Sequence, residues 1–219
     1  MSSTLRKISS IFNLKDSRKT EIGAKDITAG LEFISTWLED RRPGQVFNIV
    51  VSGGTVSVLL FKNRKKTKDV DIFSPDADVL REVLEAGRRY NRENDDMPPM
   101  WINAEIVAYI NGLRGSDSLL PNSIAQDVVL FESPSLVMYA ADWRYQLVGK
   151  MQRAFDYNDK KDISDAVEIL HQLVSQTGKQ QRLSEIQTWY EYGIMLKTEH
   201  MEFINKAYHT RYGTDGIAA

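Results

Sequence analysis

The 219-residue sequence predicts an α/β protein: a short, mixed, twisted sheet flanked by helices, with a helical C-terminal part. Three observations carry that reading. An apolar run, Val46 to Val51, enters the turn Ser52-Gly53-Gly54-Thr55. A second strand-like run, Thr67 to Phe73, alternates acidic and apolar residues with period two from Asp69 to Ile72. Before, between and after these runs lie apolar stripes at helical spacing.

In chain order, residues 1–24 read as a flexible basic tail, with Asp16 its only acid before Glu21. A disordered or loosely docked tail takes precedence there over an organelle presequence or a membrane-surface helix. Residues 25–140 form the α/β core and 141–219 a helical part packed on it. Asp26 is the expected cap of a helix with the stripe Ile27, Leu31, Ile34 and Leu38, ended by Arg41-Arg42-Pro43-Gly44. A short helix follows from Thr55 to Phe61. The basic cluster Lys62, Arg64, Lys65, Lys66 and Lys68 comes next, a solvated loop by default or a contact for phosphate. Ser74-Pro75-Asp76 starts a helix whose buried stripe includes Val79, Val83 and Tyr90, and Asn91 to Pro99 is a surface loop. Trp101 to Ile110 favours a helix, and Gly112 to Ser118 a turn. Gln126–Phe131 and Leu136–Ala140 read as strands, and Asp142 opens a helix through Phe155. His171 is a packed or surface histidine. The aromatic-rich segment after Lys179 is a helical layer or a surface for a protein partner.

Composition narrows the function. A 42% hydrophobic and 26% charged chain can bury a proper core, and a net charge of −2 argues against a generally basic nucleic-acid binder. The absence of cysteine excludes disulfides and thiolate metal sites and fits a reducing, cytoplasmic compartment. No apolar run has the length of a membrane span.

The chemistry concentrates between residues 52 and 71. Side chains alternate along a strand, so Asp69 and Asp71 share a face while Val70 and Ile72 point into the core. Paired carboxylates repel unless a cation separates them, and Mg²⁺ takes one or two carboxylates together with substrate phosphates. The Gly53-Gly54 turn lets backbone amides approach a phosphate closely.

Gly53-Gly54-Thr55 followed by Thr67-x-Asp69-x-Asp71-Ile72-Phe73 resembles the nucleotidyltransferase superfamily, in particular its abortive-infection AbiEii-type branch. Lys150-Met151-Gln152-Arg153, then Lys161-Asp162-Ile163-Ser164-Asp165-Ala166, is similar to that branch's lysine helix and its basic-Asp-x-x-Asp helix. The likeness covers about residues 46 to 173. It implies a nucleotidyltransferase-like sheet and transfer of a nucleoside monophosphate from an NTP to an acceptor that is RNA, protein or a small molecule. In that scheme Asp69 and Asp71 hold Mg²⁺ or Mn²⁺, and Ser52, Gly53, Gly54, Thr55 and Thr67 bind the nucleotide. Lys150 neutralises phosphate charge, and Asp162 or Asp165 orients it or the acceptor. Arg64 is the sole arginine between the turn and the acidic pair. A third sheet carboxylate is left open among Asp127, Glu132 and Glu105. Two rivals stand beside this reading: a non-catalytic module of the same fold that binds nucleotide or protein, and a metal-dependent phosphohydrolase.

Overall fold

The computed structural model describes residues 19–110, 116–190 and 195–218. Strand β1 (Ile22–Gly23) leads directly into helix α1 (Ala24–Arg41). The five-stranded sheet begins with β2 (Phe47–Ser52). A short helix α2 (Gly54–Val56) then widens into a π turn over Ser57–Phe61. Strands β3 (Lys66–Thr67) and β4 (Val70–Phe73), helix α3 (Ala77–Glu93), strand β5 (Ile102–Asn103) and helix α4 (Ile106–Ile110) follow. Helix α5 (Leu119–Gln126) precedes strands β6 (Val129–Glu132) and β7 (Leu136–Ala140). The rest is α6 (Trp143–Tyr157), α7 (Lys160–Thr177), β8 (Gln181–Arg182), α8 (Leu183–Ile186), α9 (Thr198–Tyr212) and β9 (Ile217–Ala218).

The sheet order is β5-β4-β2-β7-β6. The central strand β2 runs antiparallel to β4 and parallel to β7, so the sheet is mixed. Register pairs Ser52 with Asp71 and Asp71 with Asn103, which sets these three side chains on one face. Val70 and Ile72 are fully buried on the other face, in the main core with Phe47, Ile49 and Val51 from β2 and Ile27, Leu31 and Ile34 from α1. A smaller apolar cluster occupies the Asp71 side: Val50, Phe73, Ile110 and Leu119. Helices α4 and α5 thus cover one end of that face. The end bearing Ser52, Asp71 and Asn103 is met by α6 instead.

Several expected boundaries move. Asp26 does not cap α1. Gly23 does, and the Asp26 carboxylate accepts its N–H at 2.9 Å from the third helical position. The end of the expected tail belongs to the fold, because Ile22 pairs with Thr67 and Lys19 bridges Asp26 and Asp96. Residues 1–18 lie outside the described residues. Helix α3 is capped by Asp76, whose carboxylate accepts from the N–H groups of Asp78 and Val79, rather than by Ser74. The expected helix Trp101–Ile110 splits. The Trp101 indole donates to the Gly87 carbonyl, and Ile102–Asn103 becomes an edge strand parallel to β4. The strand expected from Gln126 starts at Val129, because α5 runs through Gln126 and ends in a left-handed turn at Asp127. After Lys179 the helix is one turn long, framed by β8 pairing with β9; Ile194 lies outside the described residues. The apolar side of α9 (Met201, Ile204 and Tyr208) is buried in the main core, so that stripe is not an open docking face. His171 stacks on Tyr212 at 4.1 Å. Among the described residues no helix is long and apolar enough to cross a membrane.

Candidate functional site

A cavity of about 680 Å³ opens where the Gly53 turn, β4 and α6 meet. Ser52 and Gly53 line it from the end of β2, with Asp69 just ahead of β4, Asp71 on β4 and Glu105 beyond β5. Helix α6 supplies Tyr145, Gln146, Gly149, Lys150, Gln152, Arg153, Asp156 and Tyr157, which recur at helical spacing along one face. The acidic pair and the distant lysine therefore share one space.

The turn itself divides its labour. Gly53 takes φ +73, a conformation open to glycine, and its backbone borders the cavity. Gly54 does something else. A Cβ there would stand 2.2 Å from the Thr67 hydroxyl oxygen, so its missing side chain seats Thr67. Thr55 is buried and donates its hydroxyl to the Asp69 carbonyl at 3.1 Å. Gly54, Thr55 and Thr67 thus sit behind the cavity wall. They fix the backbone that carries Asp69, and of the five expected nucleotide contacts only Ser52 and Gly53 border the cavity.

Lys150 is held from below. Its Nζ lies 2.6 Å from Asp162 Oδ1 and 2.8 Å from Asp165 Oδ2, and both carboxylates are almost completely buried. One turn of helix separates those aspartates, which places them on one face of α7. Arg64 turns inward from its basic loop to pair with Asp165, while Lys62, Lys65, Lys66 and Lys68 stay exposed. Ser57 Oγ donates to Asp165 at 2.8 Å, Asn63 Nδ2 lies 3.3 Å from the same oxygen, and Arg153 Nε donates to Asp162 at 3.1 Å. Three cations against two carboxylates leave the cluster with one net positive charge.

Two candidates for a third carboxylate lie elsewhere. Asp127 is exposed in the turn after α5. Glu132 pairs with Val137, at the opposite end of the sheet from Ser52. Glu105 is the one that borders the cavity.

The chain matches, over residues 20–215, a family described as a domain of unknown function, DUF7582. It belongs to that family. Neither the curated proteins nor the solved structures contain a match to it. The DUF7582 match spans every residue that builds the cavity.

The cavity is electrostatically divided. Burial pushes the Asp71 carboxyl up to about 6, and the neighbouring Asp69 and Glu105 push the same way, against a smaller opposing pull from Asn103 and Arg153. Burial also raises Asp69, with Asn103 opposing and Glu105 adding to it. Neither aspartate forms an ion pair with a side chain among the described residues. No group of three or more His, Cys, Asp or Glu among those residues has metal-holding geometry. Two half-buried, mutually repelling carboxylates facing open space do fit Mg²⁺ or Mn²⁺, which complete their oxygen shell from water and phosphate. On the α6 side the balance is reversed. Burial alone would raise Asp162, but Lys150 together with Arg153 and Arg64 holds its carboxyl below the usual range.

Sequence reasoning assigns no role of their own to Arg153, Ser57, Asn63, Tyr145 or Tyr157. For Arg153 and the tyrosines a signal was present: they fall at helical spacing with Lys150. Ser57 and Asn63 carry none, because only the tertiary fold brings them to Asp165.

Proposed function

We propose that this DUF7582 chain transfers a nucleoside monophosphate from an NTP to an acceptor, with Asp69 and Asp71 as ligands of Mg²⁺ or Mn²⁺. The observation that supports it is convergence. A glycine turn, an acid pair with no ion-pair partner among the described residues and a lysine held by two carboxylates border a single cavity. A divalent cation at the acid pair would offset phosphate charge and stabilise the entering and leaving oxygens. Ser52 and the Gly53 backbone flank the phosphate chain. An ammonium has three donors, and Asp162 and Asp165 take two of Lys150's, so the third serves a ligand in the cavity. Arg153, anchored by its Nε on Asp162, adds a second cation on the same wall. The acid wall thus meets the metal and the basic wall the phosphates.

Calorimetric titration with ATP, CTP, GTP and UTP, with and without Mg²⁺, tests the reading. Metal-dependent binding of at least one NTP is expected, lost in Asp71→Ala while the fold is kept. Absence of such binding in the wild-type protein favours a non-catalytic module. Incubation with labelled NTP and cell extract then separates transfer, which labels an acceptor, from hydrolysis, which releases only nucleotide products.

A further inference from the structure

Helix α6 displays a ladder along the cavity: Lys150, then Arg153, then Tyr157, at steps of three and four residues on one face. Lys150 and Arg153 are tied down by Asp162. Tyr157 differs from them. It is 76% exposed, the most exposed large hydrophobic residue of the described chain, and has no ring or hydrogen-bond partner there. It is not carried on a loose loop. Asn158 ends α6 in a left-handed conformation (φ 49), and Asp159 immediately caps α7 by accepting the Lys161 N–H at 2.7 Å. The ring therefore projects from a tight helix corner. At the other end of the cavity Tyr145 is already engaged, edge-on against Tyr190 at 5.4 Å and within the smaller apolar cluster.

We infer that Tyr157 is the stacking platform for the nucleobase of the bound NTP, flanked by Gln152 and Asp156, whose side chains are able to hydrogen-bond a base edge. The inference rests on the nucleotidyltransferase reading and assigns the base its place. With phosphates against Lys150 and Arg153, one further helical turn, about 5.4 Å, spans the ribose and brings the base over the phenol ring. Stacking of this kind tolerates every base, because each has a π face, and it needs an aromatic ring rather than a hydroxyl.

The test measures Mg²⁺-dependent binding of inorganic tripolyphosphate and of the four NTPs to wild type, Tyr157→Ala and Tyr157→Phe. Tyr157→Ala is expected to weaken the NTPs about tenfold or more and leave tripolyphosphate within twofold, with Tyr157→Phe close to wild type. Unchanged NTP affinity in Tyr157→Ala overturns the platform, as does an equal loss for tripolyphosphate and NTP; the transfer reading survives both results. Failure of wild type to bind either ligand overturns both.

Discussion

Lys150 shows how one residue links stability to chemistry. Its ammonium is buried together with two carboxylates, a costly arrangement unless every charge is paired. Lys150→Met keeps the packing of the stem and removes the charge. With Arg64 and Arg153 still in place, a stability loss of about 2 kcal/mol is expected from urea denaturation, together with loss of NTP binding. The pH dependence has a definite sign. Asp162 is held below its ordinary value of 3.8, so its contribution is present above that pH and disappears as pH falls through the folded value. Asp162→Asn should therefore flatten the acid limb of the stability profile. Asp71 has the opposite sign. Its folded value of about 6 exceeds 3.8, so the unfolded chain ionises first and stability declines as pH rises from 3.8 to 6. Asp71→Asn is expected to stabilise the metal-free protein at pH 7 by about 1 kcal/mol after allowance for solvent screening, read as an increase in Tm.

Among the elements, the turn between β2 and β4 is where the sequence was most legible. Period-two alternation put Val70 and Ile72 in the core and Asp69 and Asp71 opposite, and the buried Val70 and Ile72, the register of Asp71 and the cavity bordered by both acids agree. Strand β5 was not legible, since a two-residue strand has no periodicity to detect; it exists because the Trp101 carbonyl accepts the Val70 N–H at 2.7 Å. Within the basic loop, Arg64 stood out from the four lysines only as the sole arginine, and nothing in the sequence says where its side chain goes. Only the fold shows that Arg64 alone reaches Asp165. The turn also hides a packing rule, for Gly54 and Thr67 fit only together. Gly54→Ala is expected to cost about 1–3 kcal/mol by thermal denaturation, and adding Thr67→Ala should recover part of it by removing the hydroxyl.

Across the whole molecule, the helical part after residue 140 shares one apolar core with the sheet. A single apolar cluster contains Ile49 and Ile72 from the sheet and Leu147, Met151, Leu170 and Ile204 from the helices beyond it. The site crosses the same boundary, with acids on one side and Lys150 on the other. A fragment covering residues 19–141 is accordingly expected to lack a stable fold, seen as poor amide-proton dispersion, whereas the full chain should be protected by Mg²⁺ with NTP in a thermal shift. The pairing of β1 with β3 has a mechanical corollary. Lys19 is clamped to Asp26 and Asp96, Ile22 is laced to Thr67, and Arg64 stands two residues before β3. The start of the described chain is thereby fastened beside the loop whose Arg64 pairs with Asp165, one of the two carboxylates that hold the Lys150 ammonium.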